Sequence, residues 1–175
     1  ALGAQIDIED GYVVTKSPRG GLIGNRFTFP KVSVGATHVM LMAGSLARGE
    51  TVIENAAMEP EVVNLAECLN AMGAKIEGAG TPTIHIQGVQ HLSGARHRVI
   101  PDRIETGTYA MAVAMTGGDV PLEGARPELL QSALDVLSKA DVEITPVNSG
   151  IRVRRNGHGI EPVDVRTEPF PAFPT

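Results

Sequence analysis

The sequence predicts an α/β or α+β fold made of repeated units, and three observations carry that reading. Apolar residues recur at helical spacing in four stretches, and they alternate at period two in the stretches between. Glycine and proline punctuate the boundaries. The same order of elements then returns after about 68 residues, the self-similarity that marks a repeat architecture. Each unit reads helix, strand, helix, strand, strand, preceded by a short strand. Two full repeats are expected, with a partial one at each end and helices packed on mixed sheets.

Taken in order, Gln5–Ile8 and Tyr12–Thr15 flank Glu9-Asp10-Gly11 and predict a β-hairpin. A Pro/Gly-rich connection, 17–24, leads to a short strand at Phe27–Phe29. A helix is expected from Val34 to about Arg48, apolar at Val39, Met40, Ala43, Leu46 and Ala47 and ended by Gly49. Thr51–Glu54 reads as a strand and Asn55–Met58 as the turn after it. Pro60 suits the first position of a second helix, and Glu61 suits the positive end of its dipole. Its stripe is Val62, Leu65, Ala66, Leu69 and Met72, before Gly73 stops it. Cys68 lies beside that stripe, so a small buried thiol is expected. Lys75–Glu77 and Thr83–Gln87 form a second hairpin.

The second copy opens at Asp102-Arg103-Ile104-Glu105, which has capping-box spacing. Its helix runs to about Met115 and ends at Gly117-Gly118. Val120–Glu123 is a strand in which Pro121 marks a sheet edge. Pro127-Glu128 opens a helix with Leu129, Leu130, Ala133, Leu134 and Leu137 on its apolar face. Val142–Thr145 and Ile151–Arg154 close the unit. Leu2–Ile6 matches Met72–Ile76, so the chain opens on the tail of a third copy, and Val163–Val165 starts a fourth.

Composition excludes several classes. The net charge of −5 leaves no basic footprint for nucleic acid, and the chain has no tryptophan and few aromatics to stack on bases. No apolar run reaches membrane-spanning length and no signal peptide is visible, so a cytoplasmic protein is expected. The single cysteine excludes an internal disulfide framework. His38, His85, His91, His97 and His158 show no metal-ligand spacing, and no Walker or dinucleotide fingerprint is present. His38 reads as a partly buried side chain of an apolar helix. Arg152, Arg154 and Arg155 follow strand alternation and read as a solvated face. Both ends of the chain read as cut rather than terminated.

Lys31-Val32-Ser33-Val34-Gly35-Ala36-Thr37 is the stretch with most chemical content. A helix start presents unpaired N–H groups and partial positive charge, Ser33 adds a hydroxyl, Gly35 lacks a Cβ and Lys31 adds a full charge. The stretch suits a phosphate or diphosphate; by spacing alone it suits an N-capped core helix beside a solvated lysine better.

Several blocks together resemble the UDP-N-acetylglucosamine enolpyruvyl transferase family. They are Lys31–Thr37, Glu54-Asn55-Ala56-Ala57, Glu59-Pro60-Glu61, Pro101–Thr108, Val165-Arg166-Thr167 and Pro171–Thr175, in the family's order over nearly the whole chain. The resemblance implies a bacterial cytoplasmic enzyme of peptidoglycan precursor synthesis. Such an enzyme moves the enolpyruvyl group of phosphoenolpyruvate to the 3-hydroxyl of UDP-N-acetylglucosamine. The implied fold is two domains of inverted α/β barrel-type repeats, with residues 1–100 from the first and 101–175 from the second. Lys31, Ser33, Val34, Gly35, Glu59, Asp102, Arg103 and Thr175 match substrate-side positions. The family's reactive cysteine, catalytic lysine and catalytic aspartate match no residue of this chain, and Cys68 does not stand in for the first. The partner is then the remainder of the enzyme, with no cofactor, no metal, no nucleic acid and no membrane. Phe170 stands where relatives often carry histidine, and Ala140-Asp141 departs from the usual Ala-Gly-Ala, so a looser helix end is expected there. Two other readings are a shikimate-pathway enolpyruvyl transferase and a non-catalytic binding or assembly module.

Overall fold

A computed structural model describes residues 1–155, 157 and 159–173. The chain divides into two compact units, Ala1–Val99 and Ile100–Thr175.

The first unit opens with the hairpin β1 (Gln5–Glu9) and β2 (Tyr12–Lys16), paired antiparallel. Its turn places Asp10 and Gly11 at φ 50° and 82°, the pair of left-handed residues that a tight hairpin needs. There follow β3 (Arg26–Thr28), α1 (Val34–Ser45), β4 (Glu50–Glu54), α2 (Pro60–Ala71), β5 (Lys75–Glu77) and β6 (Thr83–Gln87). The last four strands make one mixed sheet, ordered β3-β4-β6-β5, in which only β3 and β4 run parallel. The register puts Ile53 opposite Ile84 and both Thr51 and Ile76 opposite Ile86, on one face. The buried side chains of α1 and α2, among them Leu41, Val62 and Leu69, close the core on that face.

The other face of this sheet is polar. The Arg26 guanidinium pairs with the Glu54 carboxylate, and Thr28 Oγ1 donates to Glu54 Oε2 at 2.6 Å. The Thr28 bond first, then the Arg26 bond, holds the Glu54 carboxyl below its ordinary pKa. A carboxyl lowered in the folded state adds stability that is present at neutral pH and lost as the pH falls through the folded value.

The second unit holds α3 (Arg103–Thr116), β7 (Gly118–Glu123), a 3-10 turn (Pro127–Leu129), α4 (Gln131–Lys139), β8 (Glu143–Val147) and β9 (Gly150–Arg155). Its sheet is ordered β7-β9-β8, all antiparallel, with Pro121 on the edge strand as its sequence required. Ala110, Val113, Leu134, Leu137, Ile151 and Val153 build its core. On the open face Arg152 grips Asp119 with two bonds, from Nε at 2.6 Å and Nη2 at 2.5 Å. Arg154 approaches Asp119 and Glu143, each at 3.8 Å. Arg152 and Arg154, read as solvated, are therefore exposed and also paired, whereas Arg155 is half-buried and donates from Nη2 to the Met115 carbonyl at 3.4 Å. The sheets are open, and none closes into a barrel among the described residues.

Several expectations need correction. Helix α1 stops at Ser45, three residues early, because Arg48 is drawn into a parallel bridge with Ile23. Gly49, at φ 89°, then serves the turn into β4 rather than the helix cap. The helix expected from Pro127 is broken at Leu130, whose backbone (φ −141°, ψ 28°) separates the 3-10 turn from α4. Cys68 is half-buried, since the α2 face turned to the core is Val62, Leu65, Ala66 and Leu69. Val163–Val165 forms no strand among the described residues. Its counterpart β3 is a strand because β4 offers it a parallel edge, and no described strand offers one to Val163–Val165. The second unit accordingly has no counterpart of β3 among its described strands.

The helix end at Ala140-Asp141 keeps its cap. In the first unit, Gly73 N–H donates to the Asn70 carbonyl at 3.0 Å and Ala74 N–H to the Leu69 carbonyl at 2.9 Å. The second unit repeats both bonds, Asp141 to Ser138 at 3.2 Å and Val142 to Leu137 at 3.1 Å. Asp141 reaches that geometry only at φ 65°, where an L side chain is strained and where the first unit has Gly73. Asp141→Gly is therefore expected to raise stability by about 0.5–1 kcal/mol. Urea denaturation checks this, and an unchanged or lowered midpoint contradicts it.

Candidate functional site

Lys31, Ser33, Val34 and Gly35 lie together at the start of α1. Ser33 is the N-cap, and its Oγ accepts from Ala36 N–H at 3.3 Å. Lys31, Val32, Ser33 and Gly35 are exposed and Val34 is half-buried. A Cβ built on Gly35 meets nothing within 4 Å, and Gly35 is not among the glycines at positive φ. Neither packing nor backbone conformation requires a glycine there. What it provides is an open approach to the helix start.

The segment is anchored from beneath by contacts that the sequence did not announce. Thr37 is fully buried; its Oγ1 donates to the Ser33 carbonyl at 2.8 Å and accepts from Ala57 N–H at 3.1 Å. Asn55, at φ 56°, donates from Nδ2 to the Phe29 carbonyl at 2.8 Å. Phe29 N–H in turn donates to the Glu54 carbonyl at 3.0 Å. The turn after β4 thus holds both the chain entering the Lys31 segment and the first turn of α1. An asparagine directly after a strand was the available signal, since Asn tolerates the left-handed region. Thr37 carried none, because a threonine in a first helical turn usually reads as solvated.

Glu59 follows that same turn. It is the N-cap of α2, not a first-turn charge, and its side chain makes no capping bond. Its Oε2 is buried with no hydrogen-bond partner among the described residues. A buried acceptor without a donor costs about 1–3 kcal/mol, so this atom can take a hydrogen bond from a ligand N–H or O–H.

Asp102 and Arg103 lie in the other unit. Asp102 Oδ1 accepts from Ile104 N–H at 2.8 Å and Glu105 N–H at 3.1 Å, which forms the Asp102 half of the expected capping box. The Arg103 guanidinium lies 5.4 Å from the centre of the Phe170 ring. An open groove of about 430 Å³ runs between the start of α3 and the edge strand β7. Asp102, Glu105 and Glu123 line it, so it disfavours an anion. Thr175 and His158 lie outside the described residues. Among the described residues no group of three or more His, Cys, Asp or Glu side chains is placed to hold a metal ion.

Comparison with known proteins adds the family. The model of EPSP synthase (3-phosphoshikimate 1-carboxyvinyltransferase) matches residues 1–175. A UDP-N-acetylglucosamine 1-carboxyvinyltransferase of Mesorhizobium japonicum is 76% identical over the whole chain, and those of a Chelativorans strain and Brucella ovis are 71% and 70% identical. The chain spans 41% of the length of each of these relatives. Among solved structures, the enolpyruvyl transferase NikO of Streptomyces tendae superposes with a TM-score of 0.76 at 20% identity, over 98% of this chain and 43% of that one. An EPSP synthase of Acinetobacter baumannii gives a TM-score of 0.59 at 24% identity, over 87% of this chain and 36% of that one. These two likenesses concern the fold.

Thr37→Val keeps the shape and removes the hydroxyl, which leaves the buried Ala57 N–H without its acceptor. A loss of about 1–3 kcal/mol is expected, with Thr37→Ser losing less. Chemical denaturation of the two variants checks this, and a valine variant as stable as the parent contradicts it. With the family model matching residues 1–175 and the fold in agreement, the chain belongs to the EPSP synthase (3-phosphoshikimate 1-carboxyvinyltransferase) family.

Proposed function

We propose that this chain is part of a UDP-N-acetylglucosamine enolpyruvyl transferase and carries nucleotide-sugar contacts. The observation that bears most weight is the Lys31–Gly35 segment: a charged, open helix start held from below by Thr37 and Asn55. Exposed N–H groups of α1, the Ser33 hydroxyl and the Lys31 ammonium suit the diphosphate of a nucleotide sugar. The lone Glu59 acceptor suits a hydroxyl or amide donor of the same ligand. The relatives at 70–76% identity bear the nucleotide-sugar enzyme's name, which favours it over the shikimate-pathway reaction.

In the proposed reaction the sugar 3-hydroxyl gives up its proton to a base as its oxygen bonds to C2 of phosphoenolpyruvate, and the C2–C3 double bond becomes single as C3 takes up a proton. Loss of a C3 proton then expels phosphate and leaves the enolpyruvyl ether. No residue of this chain is assigned the covalent or proton-transfer work. Asp102 and Arg103 shape the start of α3, with Asp102 committed to its cap. The two units belong, on this reading, to two different domains of the whole enzyme, which works in the cytoplasm. Among the described residues no helix is long and apolar enough to cross a membrane.

One observation speaks to the rest of the protein. Val39, Met42 and Leu46 form an exposed apolar row on and just beyond α1, and the positions 69 residues on, Thr108, Met111 and Met115, are exposed on α3. Helices that are apolar on two sides are built for burial on both. We assign these rows to packing against further repeats of the whole enzyme, rather than to an assembly function of this chain alone.

Titration with UDP-N-acetylglucosamine by calorimetry tests the proposal. Saturable binding is expected, with a Lys31→Ala/Ser33→Ala variant weakened by about three- to thirtyfold, given charge and helix-end contacts of about 0.3–1 kcal/mol each. Equal binding by parent and variant contradicts it.

A further inference from the structure

The stretch from Arg166 to Phe173 has no regular secondary structure, yet it is closed and tethered. Glu168 N–H donates to the Phe173 carbonyl at 2.9 Å, and Ala172 N–H donates to the Pro169 carbonyl at 3.1 Å. Arg166 Nε pairs with Glu168 Oε1 at 3.0 Å along its outer side. Ser132 Oγ, on α4, donates to the Ala172 carbonyl at 3.2 Å. One further contact reaches a different element: the half-buried Phe170 ring, 5.4 Å from the guanidinium of half-buried Arg103. Arg103 is the first residue of α3, fixed there by the Asp102 cap.

We propose that Arg103 and Phe170 form a clasp that seats the 166–173 turn on the start of α3, so that Arg103 is a positioning residue for this turn. The Ser132 bond alone is a single hinge, about which the turn can swing. The clasp supplies a second point on another helix and fixes the orientation. A cation within about 6 Å of an aromatic centre is attracted by the ring's quadrupole. A planar guanidinium can also stack on the ring, which an ammonium cannot. At a half-exposed site the contact shifts the closed-to-open ratio by about two- to fivefold. The link to function rests on the proposed reading, in which Thr175, two residues beyond the turn, matches a substrate-side position. The clasp itself does not.

The test needs no ligand, so its failure and the failure of the nucleotide-sugar reading are separable. It compares the 175-residue chain with Phe170→Leu, Phe170→Tyr, Arg103→Gln and the Leu/Gln double variant. The first readout is the NMR shift of the Arg103 side-chain protons, which a ring face moves upfield. The second is the rate of tryptic cleavage after Arg166. The parent and the tyrosine variant are expected to show the upfield shift, and the leucine variant to lose it. Cleavage is expected to rise about two- to fivefold in Phe170→Leu or in Arg103→Gln, to stay near the parent rate in Phe170→Tyr, and to rise no further in the double. Arg103 protons at ordinary positions in the parent would overturn the clasp without recourse to any variant. So would single effects that multiply in the double variant, or a tyrosine variant that behaves like leucine.

Discussion

The buried hydroxyl of Thr37 is the contact on which the candidate site depends. It ties the Ser33 cap and the first turn of α1 to the turn that leaves β4, 20 residues further along the chain. Asn55 completes the arrangement by reaching back to Phe29, just before Lys31. Each bond lies in or at the edge of the core, where an unpaired donor is costly. The segment above them can therefore stay open and exposed, because its geometry is set from beneath and not by its own packing. Gly35 fits the same logic, being placed where nothing in the fold requires it.

The two units solve one construction problem twice. In each, two helices cover the apolar face of an open sheet and leave a polar face of paired charges, Arg26 with Glu54 in one and Arg152 with Asp119 in the other. The Thr28 bond first and then the Arg26 bond hold the Glu54 carboxyl below its ordinary pKa, and the Arg152 bonds do the same for Asp119, so the pairs persist at neutral pH and are lost in acid. They are exposed, and salt screens them; their effect on the fold is to keep the outer faces polar. The hairpin β1–β2 is the exception that the repeat explains. Ile6, Ile8 and Val13 share one of its faces and are exposed, whereas Ile76, the counterpart of Ile6, is buried beneath helices.

Much of this was legible in the residues. Alternation and turn chemistry gave the three hairpins, β1–β2, β5–β6 and β8–β9, and Pro121 placed β7 at an edge, while the pairings of β3 with β4, β4 with β6 and β7 with β9 were not readable. The repeat ordered the elements, and the capping residues Ser33 and Asp102 marked two helix starts. What sequence reasoning missed was decided by long-range partners. Helix α1 ends where Ile23 captures Arg48, and the bend at Leu130 has no proline or glycine to announce it. Asp141 takes a glycine's conformation because the cap bonds around it are worth keeping. At the site, the exposed members were readable from type and spacing. The supporting pair, Thr37 and Asn55, and the open acceptor of Glu59 became visible only once burial was known.

The most direct measurement is to follow backbone amide resonances of the chain during titration with UDP-N-acetylglucosamine. Movement concentrated at Ser33 to Thr37, with Glu59 and its neighbours following and the polar sheet faces still, is what this account predicts. Saturable binding that moves residues elsewhere and leaves the start of α1 unchanged would contradict it.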